Sequence, residues 1–179
     1  MSATLSPAPA SPRIDLRNAG PDDFAAILAL NAESVHFTSL LDYARLQHLH
    51  VQAAYHRIVE IDGEVAAFLL ALREGADYDS PNYRWFAQHC AQFLYIDRIV
   101  VAAARHASGL GARLYDDLIA FAASHGVARL ACEFDLEPPN PASARFHARH
   151  GFREVGRQWL GGGKKQVSLQ LREVAVPPV

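Results

Sequence analysis

Residues 13–18, RIDLRN, alternate polar and apolar positions, the period of a half-buried strand. The period then changes. In GPDDFAAILALNAESV, Phe24, Ile27 and Leu28 recur at helical spacing, and Pro21, Asp22 and Asp23 supply the residues that favour a first helical turn. Residues 42–54, DYARLQHLHVQAA, also read as helix. HRIVEIDGEVAAFLLALR divides into two strands around Asp62-Gly63, a dipeptide suited to a tight hairpin because both turn residues take positive φ. EGADYDSPNYRWFAQHCAQ interrupts the strands with a loop and a short helix. FLYIDRIVVA (93–102) is apolar almost throughout, as a central strand covered on both faces should be.

Beyond it, Leu110, Leu114, Leu118, Phe121 and Ala122 share one helical face, and Gly126 stops that helix. ARLACEF (128–134) is the next strand. PNPASARFHARHG reads as a helix with Asn140 as cap, Pro141 at its first position and Gly151 after its end. FREVGRQWL and KQVSLQLRE, joined by Gly161-Gly162-Gly163, close the chain as antiparallel strands. This order predicts an α/β fold with a mixed central sheet of about seven strands flanked by helices.

Composition narrows the picture. The chain has 179 residues, 50% of them apolar, enough for one domain over 13–179. The Ser-, Pro- and Ala-rich start, MSATLSPAPASPR, lacks signal-peptide character, and residues 1–12 are expected to be a disordered leader. A formal charge of −2 gives no footprint for nucleic acid or an anionic membrane. No run approaches the roughly 18 apolar residues of a membrane span. Cys90 and Cys132 read as free thiols in a reducing compartment, so a cytoplasmic protein is expected.

The candidate chemistry centres on RHASGLGARL (105–114), where two glycines two apart open a helix after the central strand. Such residues let the backbone turn tightly or let a ligand approach it closely. They can equally serve only to bring a helix near a strand. A nucleoside-triphosphate loop needs Lys and Ser or Thr after its last glycine, whereas Ala112 and Arg113 follow Gly111. A dinucleotide fingerprint fits better, with Glu133 near the ribose position, but Leu114 fills the third glycine site and AAARHAS lengthens the lead-in. That lead-in offers several consecutive N–H groups to one anion, as a pyrophosphate requires.

VAAARHASGLGARL resembles the acyl-CoA pyrophosphate loop of the GNAT superfamily of N-acetyltransferases, with His106 where the family usually has Arg or Gln. NPASARFHARHGF (140–152) is similar to a second segment of that family, with His147 at its usual Tyr. The likeness extends over roughly residues 13–172 and implies the GNAT fold, acetyl-CoA as acyl donor and no metal. It implies that Ile99, Val100, Val101, His106, Ala107, Ser108, Gly109, Leu110, Gly111, Ala112, Asn140, Ser143 and His147 hold the cofactor. The free N–H at Val101 would polarise the thioester carbonyl, and His147 would assist the departing thiolate. The alternative for His147 is a helix histidine without a role.

The base position that the resemblance implies falls on Tyr95, and Asp97 lies two residues on, on the same strand face. A carboxylate in so apolar a run needs an explanation. Either Asp97 pairs with Arg98 or another cation, or it orients the acceptor amine and its water, with Glu133 in reserve. Tyr83, Trp85 and Phe86 in the inserted segment either line a substrate pocket or cover the core. Together with Tyr95 and Glu33 they are the candidate substrate contacts, and Asp42 is a further charge partner. The expected activity is acetyl transfer to a primary amine of a small molecule, directly within a ternary complex. The competing reading is a CoA-binding sensor without transferase activity. A covalent route through Cys132 lacks an activating partner in the sequence, and a homodimer is compatible with the chain.

Overall fold

The computed structural model describes residues 11–34 and 38–177, so most of the expected leader lies outside the described residues. Strand β1 (Ile14–Asn18) is followed by a 3₁₀ turn (Pro21–Asp23) and helices α1 (Phe24–Glu33) and α2 (Tyr43–Gln52). Strands β2 (Ala53–Ile61) and β3 (Glu64–Arg73) form a hairpin, and α3 (Pro81–His89) separates β3 from β4 (Leu94–Val101). Helix α4 (Leu110–Ser124), β5 (Arg129–Glu137), α5 (Pro141–Arg149), β6 (Arg153–Leu160) and β7 (Lys165–Glu173) complete the chain. The seven strands make one mixed sheet in the order β1-β2-β3-β4-β5-β7-β6.

The local chemistry explains most boundaries. Asp62 and Gly63 both take positive φ in the β2–β3 turn, as a tight hairpin demands. Asp42 caps α2 by accepting from the Arg45 N–H at 2.7 Å, and Asn140 caps α5 through the Ser143 N–H at 3.1 Å. The helix expected over 42–54 ends two residues early. Ala53 and Ala54 belong to β2, where Ala53 pairs with Leu72, so cross-strand pairing overrides a good helical propensity. No helix among the described residues is long and apolar enough to cross a membrane.

The sheet is covered on both faces. Helices α1, α2 and α3 bury Phe24, Ile27, Leu30, Leu46, Leu49, Tyr83 and Phe86 against Ile58, Phe68, Leu70, Tyr95 and Val100. On the other face α4 buries Leu110, Leu114, Tyr115 and Leu118 against Val59, Leu69, Leu94, Ile96 and Cys132. Strand β4 contributes to both, which is why its sequence is almost continuously apolar.

Two irregularities on β4 shape the molecule. On one side, Leu70 pairs with Arg98 and Ala71 with Ile96, leaving Asp97 as the extra residue of a β-bulge. On the other side, β4 pairs with β5 only at Leu94–Leu130 and Tyr95–Ala131. From Ile96 onward the two parallel strands share no pairs, and a gap opens in the middle of the sheet.

The far side of the sheet depends on close packing at Gly156 of β6, where an added Cβ would lie 3.0 Å from Cζ2 of Trp85 on α3. Gly156→Val should therefore destabilise the fold by about 1–3 kcal/mol, read as a lower melting temperature. Adding Trp85→Leu should recover part of the loss, because the two changes act at one contact. An unchanged melting temperature in Gly156→Val would show that α3 is not packed against β6.

Candidate active site

The gap between β4 and β5 exposes main-chain groups. The Ala102 N–H donates to the Ala66 carbonyl of β3 at 2.9 Å. By strand alternation Val100 also faces β3, while the N–H groups of Ile99 and Val101 face the gap. Val101 offers its carbonyl on that same edge, where it accepts from Nε2 of His106 at 3.0 Å. The His106 ring thus ties the loop after β4 to the strand's end.

That loop leads into α4 with Ala107 and Gly109 at φ of 61° and 83°. The two glycines have different reasons. Gly109 supplies a left-handed turn with open space around it, whereas a Cβ on Gly111 would sit 3.3 Å from the Phe146 ring of α5. No side chain caps α4, and its first intrahelical bond runs from the Arg113 N–H to the Gly109 carbonyl. The N–H groups of Leu110, Gly111 and Ala112 consequently have no acceptor within the helix. They form a small, positively polarised cradle for an anion.

His147 of α5 lies on the same sheet face, only 4% exposed. Its Nδ1 donates to the Ser143 carbonyl at 2.7 Å, with the Ser143 hydroxyl also 3.2 Å away. A carbonyl can only accept, so in the neutral ring Nε2 carries the lone pair and accepts the Tyr115 hydroxyl at 2.9 Å. Burial lowers the pKa of His147, which favours that neutral form. The expected N–H donation to a leaving sulfur is not available in this geometry, since one nitrogen is turned into α5 and the other is occupied by Tyr115.

On the opposite face, three carboxylates lie near the gap. The Asp97 side chain is 3% exposed and receives Nε of Arg98 at 2.6 Å, together with the Tyr78 hydroxyl. Arg98 in turn donates to the Asn31 side chain at 2.8 Å and to the Ser39 carbonyl and hydroxyl at 3.2 and 3.1 Å. Alternation would place residues 97 and 98 on opposite faces, but the bulge brings them to the same one. Asp135 pairs with Nζ of Lys165 at 2.9 Å. Glu133 differs from both. It accepts the Tyr95 hydroxyl at 2.8 and 3.0 Å and is also bonded by Asn82, yet burial pushes its carboxyl up to about 7.

The sequence candidates therefore separate. Ile99, Val100, Val101, His106, Ala107, Ser108, Gly109, Leu110, Gly111 and Ala112 form one continuous strand end, loop and helix start. Asn140, Ser143 and His147 follow on α5, the first two already engaged in its opening turn. Tyr95 touches Glu133 directly. Tyr83, 3% exposed, and Phe86, 0% exposed, are core residues, a correction to the expectation that they contact substrate. Trp85 stacks on His89 at 3.9 Å and packs against Gly156 of β6. Glu33 is exposed at the end of α1, and Asp42 is used as a helix cap. Burial raises the pKa of Cys132 and leaves it a poor nucleophile. Tyr115 and Tyr78 are not singled out by the sequence. Tyr115 carries the period of an ordinary helix face, and only the insert's aromatic content pointed toward Tyr78.

A family model described as the acetyltransferase (GNAT) family matches residues 22–152. A comparison with curated proteins returned no match. Among solved structures, Ard1 from Thermoplasma volcanium superposes with a TM-score of 0.74 at 15% identity, covering 90% of this chain and 98% of that one. The ribosomal-protein-S18-alanine N-acetyltransferase of Escherichia coli gives 0.69 at 14% identity, with 93% and 97% covered. The Salmonella typhimurium protein yncA, solved with its cofactor acetyl-CoA, gives 0.70 at 18% identity, again with 93% and 97% covered. These likenesses show a shared fold, and the family match spans most of the chain. With its split β4–β5 pair and uncapped glycine cradle, the protein belongs to the GNAT family of acetyltransferases.

Proposed function

We propose that the protein transfers an acetyl group from acetyl-CoA to a primary amine of a small molecule, directly within a ternary complex, with Glu133 as general base. The observation that carries this assignment is the contrast among the three carboxylates. Asp97 and Asp135 are committed to direct ion pairs with Arg98 and Lys165, whereas Glu133 is hydrogen-bonded by neutral donors and burial pushes its carboxyl up to about 7. A base with that pKa is about half ionised at neutral pH and can take the proton an amine loses as the new C–N bond forms.

The residues present fit acetyl-CoA. The cradle at 107–112 suits a pyrophosphate, and the Val101 N–H, turned into the gap, suits a thioester carbonyl whose oxygen gains negative charge. With the donor on the α4–α5 side, the amine approaches from the side of Glu133. As nitrogen attacks, the C–S bond breaks and the electron pair leaves with sulfur. Asp97 is assigned a positioning role through Arg98 and Tyr78. His147 is assigned one through Tyr115, whose hydroxyl it holds. The likeness to yncA supports the choice of cofactor.

Glu133→Gln should lower kcat by roughly 10²-fold or more while leaving acetyl-CoA binding intact. Wild-type kcat/KM should rise with pH through about 7, and the variant should lose that limb. Stability should move oppositely. The folded pKa lies above the usual value of 4.5, so the fold favours the protonated acid and loses stability as pH rises from that value through about 7. Glu133→Gln should therefore gain melting temperature relative to wild type at pH 8 and not at pH 4. Wild-type turnover in the variant would remove Glu133 from the mechanism.

Two further variants probe the donor side. Saturating CoA should raise the melting temperature by mass action. Gly109→Glu should abolish that shift by placing a negative charge at the cradle, with Gly109→Ala as the control for backbone strain at positive φ. Equal shifts in wild type and Gly109→Glu would place CoA elsewhere. His147→Phe leaves the buried Tyr115 hydroxyl without its acceptor, a loss of about 1–3 kcal/mol. Stability and turnover should fall together, with CoA affinity little changed. Loss of turnover at full stability would instead mark His147 as a direct donor. CoA binding without thiol release for any amine would favour the binding-module reading.

A further inference from the structure

Strands β3 and β4 are antiparallel neighbours that meet at Arg73–Leu94, and a tight turn would suffice to join them. Instead the connection 74–93 leaves the strand ends, carries α3 and crosses the face that bears Glu133. Resting on the amine-transfer reading above, we infer that Tyr78 on this connection is a specificity-determining residue that limits the acceptor to slender, unbranched primary amines.

Tyr78 is built in place from several directions. Its hydroxyl bonds the Asp97 carboxylate at the bulge. Its ring lies 5.6 Å from Tyr83 and 6.3 Å from Tyr95, centroid to centroid, and Tyr95 is the residue that donates to Glu133. The guanidinium of Arg45 on α2 sits 5.0 Å from the ring centroid and also pairs with Asp79. Nε2 of His48 donates to the Asp77 carbonyl at 2.9 Å, and the Asp77 N–H donates to the Gln52 side chain at 3.2 Å. The Ala76 N–H donates to the Tyr83 hydroxyl at 2.8 Å, which itself donates to the Arg73 carbonyl at 2.7 Å.

These contacts tie the loop to α2, α3, β3 and β4, so Tyr78 is a fixed wall rather than a side chain free to swing aside. A wall held this way selects by exclusion. An acceptor with bulk next to its amino group must displace the aromatic contacts and the Asp97 bond to bring nitrogen to Glu133, while a straight methylene chain need not. The same bulk disfavours a polypeptide amino terminus, whose α-carbon is branched.

The test follows thiol release from acetyl-CoA with n-butylamine, cyclohexylamine and a tetrapeptide bearing a free amino terminus. Wild type should favour n-butylamine. Tyr78→Ala should raise the kcat/KM ratio of cyclohexylamine to n-butylamine by about tenfold or more, the scale on which pocket shape discriminates. Tyr78→Phe, which keeps the wall and removes only the hydroxyl, should leave the ratio within about twofold of wild type. If Tyr78→Ala does not fold, Tyr78→Leu should shift the ratio in the same direction. An unchanged ratio in an active, folded variant, or a wild type that prefers the tetrapeptide, overturns the assignment and leaves the transferase reading standing. A chain whose melting temperature rises with acetyl-CoA but which releases thiol to no amine overturns that reading, and this inference with it.

Discussion

Parallel strands β4 and β5 hydrogen-bond at two residue pairs and then part, although both continue as regular strands for several residues more. In a closed sheet those later N–H and C=O groups would be paired, and buried main-chain groups without partners are costly. The opening is sustained by what surrounds it. The bulge at Asp97 turns β4 locally, and the Asp97–Arg98 pair that the bulge brings together anchors α1 through Asn31 and the segment after it through Ser39. His106 takes up the Val101 carbonyl, while the N–H groups of Ile99 and Val101 face the gap without a strand partner. In the proposed complex an acyl donor lying in the gap would supply one to Val101.

Everything chemical then follows from which face of the sheet a group occupies. The α4–α5 face carries the anion cradle and the His147–Tyr115 pair, and the α1–α3 face carries the carboxylates. The gap lies between them, and in the proposed reaction a thioester held from one side would meet an amine arriving from the other. Asp97 and Asp135 have Arg98 and Lys165 as direct ion-pair partners, whereas Glu133 feels Lys165 only through space. Burial keeps the Glu133 carboxyl high, and the Tyr95 and Asn82 donors keep it from rising further.

Much of the fold was legible because its signals are local. Asn140, Pro141 and Gly151 bracket α5, Asp62-Gly63 makes the hairpin, and the apolar run 93–102 marks the strand covered on both sides. The glycines at 109 and 111 were legible as a site, yet their separate reasons, one a turn and the other contact with Phe146, depend on how α4 packs on α5. The bulge was not legible, because no residue in LYIDRIVV marks it. The sequence leaves Asp97 open between pairing with Arg98 and orienting the amine, and Glu133 looks secondary. In three dimensions the bulge sets Arg98 beside Asp97, and of the three carboxylates Glu133 is the one without a direct ion-pair partner among the described residues. Tyr83 and Phe86 were ambiguous for a related reason: an aromatic cluster on an insertion looks the same in sequence whether it roofs a pocket or plugs a core.

The split between β4 and β5 is tested most directly by amide hydrogen exchange at Ile99 and Val101, followed by NMR with and without acetyl-CoA. Without ligand these two N–H groups should exchange markedly faster than that of Val100, which faces β3. Saturating acetyl-CoA should slow Val101 by about tenfold or more, as its N–H gains an acceptor. Val101 exchange that stays fast while protection appears on another face of the protein would contradict the account.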